Sequence, residues 1–146
     1  VLNSGTGFLN PVEETTLTIP STATKVITVG AYDARFDQAA AFSGRGYTRA
    51  TNQVKPDLVA PGVEIMSCAP GGGYQVRTGT SMATPFVTGS AALLMQWGIV
   101  NGNDAYLYGE KMKAYLIRGA RKLPGFTAYP NPVLGWGALC TADSIP

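Results

Sequence analysis

The hydrophobic pattern changes character several times along the chain, and each change marks an element. Residues 25–33, KVITVGAYD, are mostly apolar and β-branched, without alternation. That pattern predicts a strand buried on both faces, as in a parallel sheet. Residues 55–73, KPDLVAPGVEIMSCAPGGG, hold two brief apolar runs, DLVA and VEIMSCA, split by Pro-Gly, which read as two more strands. From Ser81 to about Trp97 the pattern becomes helical. Val87, Ala91, Leu94 and Met95 share one side, yet Ala83, Gly89, Ser90 and Ala92 leave almost no charged face opposite. A helix that is small or apolar all round is expected to be central and buried. A second helix is expected near Tyr108 to Arg118, where Met112, Tyr115 and Leu116 recur at i, i+3 and i+4. Glu110, Lys111 and Lys113 should face out from it. Near the start, TTLTIP reads as a short strand among Gly-, Asn-, Pro- and Thr-rich loops, and the tail has turns with room for one short strand. Strands interleaved with helices predict an α/β layer architecture.

A chain of 146 residues suggests one domain or part of one. It is long enough to bury roughly 70% of its unfolded surface. Charged residues make up 14%, well under the roughly 25% of an ordinary globular protein. With 18 glycines and 10 prolines, this predicts a largely buried scaffold joined by tight turns. A net charge of +2 and one short basic cluster, Arg118, Arg121 and Lys122, argue against a nucleic-acid partner. No run of about 18 apolar residues stands out, so no membrane partner is expected. The opening VLNSGTGFLNP has no basic n-region and does not read as a signal peptide. Cys68 and Cys140 are expected to be free, mostly buried thiols. Gly71, Gly72 and Gly73 read as a mobile turn, because no Lys-Ser/Thr follows to make a phosphate loop. No His or Cys cluster has metal-ligand spacing, and no acidic loop reads as a calcium site.

The stretch GTSMATPFVTGSAALL, residues 79–94, carries the candidate chemistry. Gly79 permits a sharp turn, and Ser81 then opens the helix. The first amides of a helix lack intrahelical partners, and the aligned peptides leave about half a positive charge there. An oxyanion formed when Ser81 attacks a carbonyl would meet those donors. Pro85 has no N–H to offer the carbonyl of Ser81 and crowds it, which predicts a distorted first turn. The plainer reading makes Ser81 or Thr80 an N-cap worth about 1 kcal/mol. A catalytic serine also needs a general base, usually histidine, and the chain has no histidine. On the residues alone both readings stand.

GTSMATPFVTGSAALL resembles the nucleophile motif of subtilisin-like serine proteases, the subtilases of peptidase family S8. KPDLVAPG at 55–62 resembles the strand and turn that precede that motif, and KVITVGAYD, FSGRG (42–46) and GWGALC (135–140) fall in the family's order. With TTLTIPSTATKVITVGAYD and LYGEKMKAYLIRGAR, the chain looks like clostridial subtilases of the spore-germination (Csp) type, which carry a jelly-roll insertion. The resemblance implies that residues 1–146 are the C-terminal portion of a catalytic domain, with 1–17 as the return from that insertion. It implies a three-layer α/β fold with a mostly parallel sheet and a buried central helix starting at Ser81. Ser81 would be the nucleophile, with its amide as an oxyanion donor. Thr80 would lie beside the oxyanion pocket, Met82 on the leaving-group side, and Arg77 and Thr78 toward the substrate. Pro20 matches a proline that the family often holds cis. The catalytic Asp and His, and the side-chain oxyanion Asn, would lie upstream. Asn3 and Asn10 stand in the wrong context to replace that Asn. Asp33, Asp37 and Asp57 do not match the triad, and Asp57 would be structural, pairing with Lys55 or Arg45.

The implied function is a serine endopeptidase acting on a protein or peptide, with limited precursor processing during spore germination. The place implied is the spore or the outside of the cell. No cofactor is required, and calcium would belong to the full-length protein, without a site here. The other partner would be the N-terminal part of the same domain. Alone, the chain should be inactive and prone to self-association through exposed strand edges. A pseudoprotease that binds or signals is the competing reading, separated by whether the upstream Asp and His are intact.

Overall fold

The computed structural model describes residues 7–146. Strand β1 (Val29–Asp33) lies between β2 (Gln38–Ala39), antiparallel to it, and β3 (Leu58–Pro61), parallel to it. Val29 stands opposite Leu58, and Tyr32 opposite Pro61. Ala138 adds a parallel bridge to Val59 on the far side of β3. Strands β4 (Ile65–Cys68) and β5 (Tyr74–Arg77) form a separate antiparallel hairpin. Three helices follow: α1 (Thr80–Met95), α2 (Gly109–Arg118) and the single turn α3 (Thr141–Ser144). A π-helical turn, Gln96–Val100, extends α1.

The non-alternating runs behave as the pattern predicts. Ala31, Leu58 and Ala60 face one core, with Ala83, Val87 and Leu94 of α1 and Met112 and Leu116 of α2. Their neighbours Tyr32 and Val59 face a second core, with Leu123, Leu134 and Ala138. Successive side chains of a strand point to opposite faces, so β1 and β3 need apolar residues at every position.

Several expectations change. Helix α1 starts one residue earlier, at Thr80, and continues through Pro85 to Met95; Pro85 has no amide to offer the Ser81 carbonyl. It is buried on one side rather than all round: Ala83, Val87, Ser90 and Leu94 are buried, while Phe86, Leu93 and Met95 are exposed. Its own pattern lacks charge on both sides, but only one side meets the sheet. The helical stretch Thr80–Val100 is 21 residues long and holds an 18-residue window of mean hydropathy 1.2, long and apolar enough to cross a membrane by length and composition. That corrects the expectation that no segment qualifies. Its packing on β1 and β3 is the placement of a core helix.

TTLTIP is not a strand; its link to a neighbour is the Thr16 amide on the Arg45 carbonyl (2.9 Å), with the Arg45 amide returning to Thr16 Oγ1 (2.9 Å). One such pair makes no ladder, and Pro20, which is cis, has no amide to extend it. On α2, Lys113 turns inward rather than out, because buried Asp57 lies within reach. Both cysteines are free, but Cys68 is exposed, since β4 belongs to the projecting hairpin. Gly71, Gly72 and Gly73 form the tip of that hairpin, all with positive φ.

Candidate active site

The end of β3 and the start of α1 are brought together by glycines. The Gly62 amide donates to the Tyr32 carbonyl (3.0 Å), and the Gly79 amide donates to the Gly62 carbonyl (2.8 Å). A Cβ on Gly62 would stand 2.6 Å from Cβ of Ala31 and 2.9 Å from the Gly79 carbonyl oxygen. Gly79 itself has φ 156 and ψ 163, a region essentially closed to other residues. This junction presents Ser81 as the second residue of α1, exposed to solvent. Among the described residues no side chain caps the helix and no bond takes up the Ser81 amide. An exposed hydroxyl therefore stands beside an unpartnered amide at the positive end of a 16-residue helix.

Two hollows meet at Ser81. A shallow one of about 490 Å³ is lined by Ser81, Thr84, Pro85 and Thr88. A second, of about 320 Å³, lies between Thr80, Ser81 and Thr84 on one side and Pro20, Ser21 and Val26–Val29 on the other. A larger pocket of about 520 Å³ shares Ser21, Thr28, Val29 and Thr80 with it and extends to Phe42, Ser43 and the Glu13–Arg45 ion pair. Thr80 thus lines the same hollow as Ser81. Met82 is half-buried and folds back toward Gly79, its Sδ 3.6 Å from where a Cβ would stand. Thr78 and Arg77 line none of these hollows: Thr78 Oγ1 accepts the Glu64 amide (2.9 Å), and Arg77 reaches Gln75 Oε1 (3.3 Å) at the end of β5.

Ser21, Thr28, Val29, Phe42 and Ser43 are lining residues that the sequence reading did not single out. For Phe42 and Ser43 the one local mark is the small-residue turn FSGRG; Ser21, Thr28 and Val29 carry none. Buried Ser43 accepts the Ala31 amide (3.0 Å), and Gly30 lets it approach, since a Cβ there would stand 2.9 Å from both Ser43 Oγ and Pro56 Cγ.

The aspartates are engaged elsewhere. Asp33 is held by Arg35 and Asp37 by Arg121, and these guanidinium bonds keep both carboxyls below the usual range. Asp57 is buried and pairs with Lys55 (2.7 Å) and Lys113 (2.7 Å); Arg45 pairs with Glu13 instead. Burial pushes the Lys55 ammonium below its usual range, against the pull of Asp57. Asn10 is exposed, and Asn3 lies outside the described residues. Among the described residues, no three His, Cys, Asp or Glu side chains converge on a point where a metal could sit.

The model of the subtilase family matches residues 3–137. The chain belongs to the subtilase family. It is 34% identical to serine protease AprX of Bacillus subtilis over 90% of its own length and 32% of that protein's. It is 42% identical to the subtilisin of Bacillus pumilus over 55% of its length and 26% of that protein's. The structure of the Clostridium perfringens CspB protease superposes with TM-score 0.93 at 48% identity, covering 98% of this chain and 30% of that one. The patellamide maturation protease PatA superposes with TM-score 0.73 at 28% identity, over 91% of this chain and 46% of PatA. This subtilase chain therefore spans about a third of AprX and of CspB.

Proposed function

We propose that the protein carrying this chain is a serine endopeptidase and that Ser81 is its nucleophile. The observation that carries the reading is the exposed Ser81 hydroxyl beside its own unpartnered amide at the start of α1, in a chain that belongs to the subtilases. Residues 1–146 are then the C-terminal portion of the catalytic domain, and the upstream portion supplies Asp, His and a side-chain oxyanion donor. Ser81 Oγ attacks the substrate carbonyl carbon while the imidazole takes its proton. The oxygen that gains the charge is met by the Ser81 amide, with Thr80 beside it. The C–N bond then breaks, the amine leaves with the proton from the imidazole, and water releases the acyl group by the same route in reverse. Met82 borders the leaving-group side. The reaction requires no cofactor.

The substrate is a protein or peptide. The likeness to CspB and to germination-type sequences supports limited processing of a precursor in the spore, and a spore-associated or secreted place of action. Peptide hydrolysis by the full-length protein tests the reading. Ser81→Ala is expected to lower kcat on the order of 10⁶-fold, as the same change does in subtilisin. A folded full-length protein with an intact site and no hydrolysis of any peptide would instead support a binding role.

A further inference from the structure

The wall facing Ser81 across the 320 Å³ pocket is formed by Pro20, Ser21 and Val26–Thr28, within a segment 20–28 that belongs to no helix and no strand; β1 begins only at Val29. Local turn bonds fold its first half, from the Ser21 amide to Thr18 and from the Ala23 amide to Pro20. Behind its second half lies a buried ionic cluster. Asp57 Oδ2 accepts the Thr28 amide (2.7 Å), and the Asp57 amide donates to the Thr28 carbonyl (2.8 Å). Lys55 Nζ donates to the same Oδ2 (2.7 Å) and to the Val26 carbonyl (2.9 Å). Lys113 Nζ, reaching across from α2, pairs with Asp57 Oδ1 at 2.7 Å and donates to the carbonyls of Thr24 (3.0 Å) and Val26 (3.1 Å). The Thr28 hydroxyl then closes onto the Ser21 carbonyl (2.5 Å).

The wall is therefore gripped from behind at alternate residues, Thr24, Val26 and Thr28. An ammonium has three N–H donors, and Lys113 gives two of them to carbonyls of the wall while its charge faces the Asp57 carboxylate. Two ammonium groups share one carboxylate, so backbone carbonyls of the wall supply the remaining acceptors. Bonds with a charged donor are worth about twice their neutral counterparts. A second link between the same elements, Lys25 with Glu110 at 3.6 Å, is exposed on both sides and adds little.

We propose that Lys113 and Lys55, acting with Asp57, are positioning residues that set the substrate-facing wall 20–28 against Ser81. None of the three lines the pocket. They act through the Thr24 and Val26 carbonyls and the Thr28 peptide, so α2 takes part in substrate binding at one remove. The proposal rests on Ser81 being the nucleophile.

The test uses the full-length protein with Lys113→Met, which keeps the volume and stem of the side chain and removes all three donors. Amide exchange over residues 20–28 is expected to quicken, with α1 unchanged. KM for a peptide that fills the pocket should rise about tenfold, with kcat and labelling by diisopropyl fluorophosphate within about twofold of wild type. Lys113→Arg, which keeps the charge, should recover most of the change in KM. Unchanged exchange and KM in a folded variant would overturn the proposal. So would equal losses in kcat, labelling and α1 protection, because the cluster would then support the whole fold and not the wall. Should Lys113→Met not fold, Lys113→Gln, which keeps donors without charge, is judged by the same outcomes. Wild-type protein that neither hydrolyses nor labels sinks the nucleophile reading, and the exchange measurement still decides whether the cluster holds the wall.

Discussion

At the residue scale, Ser81 and Asp57 are opposites. Ser81 is exposed, and among the described residues its hydroxyl makes no hydrogen bond, so the fold does not depend on it. Ser81→Ala is expected to change stability by less than about 0.5 kcal/mol, measured by urea denaturation, while hydrolysis collapses. That split is the mark of a reacting group. Asp57 is buried between two ammonium groups. Asp57→Ala leaves both uncompensated, and a loss of roughly 3–5 kcal/mol is expected in the same measurement. A loss under about 1 kcal/mol would show that water enters the cluster freely. The sequence offered Asp57 two partners, Lys55 and Arg45, of which the structure keeps Lys55, and it did not point to Lys113. That partner lies on another element, and nothing in the pattern of α2 distinguishes a lysine that faces water from one that faces a buried carboxylate.

At the scale of elements, what was legible was whatever the local pattern decides. β1 and β3 announce themselves because both their faces are buried, and α2 because Met112 and Leu116 recur at helical spacing. β5, with the sequence YQVR, was missed: it is short, mostly exposed, and a strand only through pairing with β4 across the glycine tip. The one-sided burial of α1 was also illegible, since burial depends on what lies opposite and not on the helix's own residues. The sequence pointed to Ser81 and Thr80 through the nucleophile motif, whereas Thr28, Phe42 and Ser43 join the site through tertiary contacts. The buried side of α1 is the larger lever on stability. Leu94 is fully buried against the sheet, and Leu94→Ala is expected to cost about 2–5 kcal/mol, measured as a fall in the urea midpoint. The exposed Leu93→Ala should cost well under half of that.

At the scale of the whole molecule, charge and uncovered surface set the behaviour. Asp33, Asp37 and Asp104 all have carboxyl pKa values lowered by bonds to Arg35, Arg121 and Lys111. A lowered folded value means the unfolded chain takes up protons first as pH falls. Their contribution is therefore complete above about pH 4 and is lost as pH drops through the lowered values. Asp37→Asn should accordingly destabilise at neutral pH, and its difference from wild type should shrink below about pH 4. A difference that stays constant across that range would contradict the assignment. Phe86, Leu93, Met95, Ile99 and Val100 leave the outer side of α1 and its extension apolar and exposed. Under the proposed function the upstream part of the domain covers it, and this chain alone should self-associate, as sedimentation would show.

The most direct measurement is the rate at which a fluorophosphonate labels Ser81, mapped by mass spectrometry, in the full-length protein and in residues 1–146 alone. Rapid labelling of the first and none of the second is expected, because an alkoxide forms at neutral pH only with a base to take its proton. Labelling of the isolated chain at a protease-like rate, or labelling of the full-length protein at a different residue, would contradict the account.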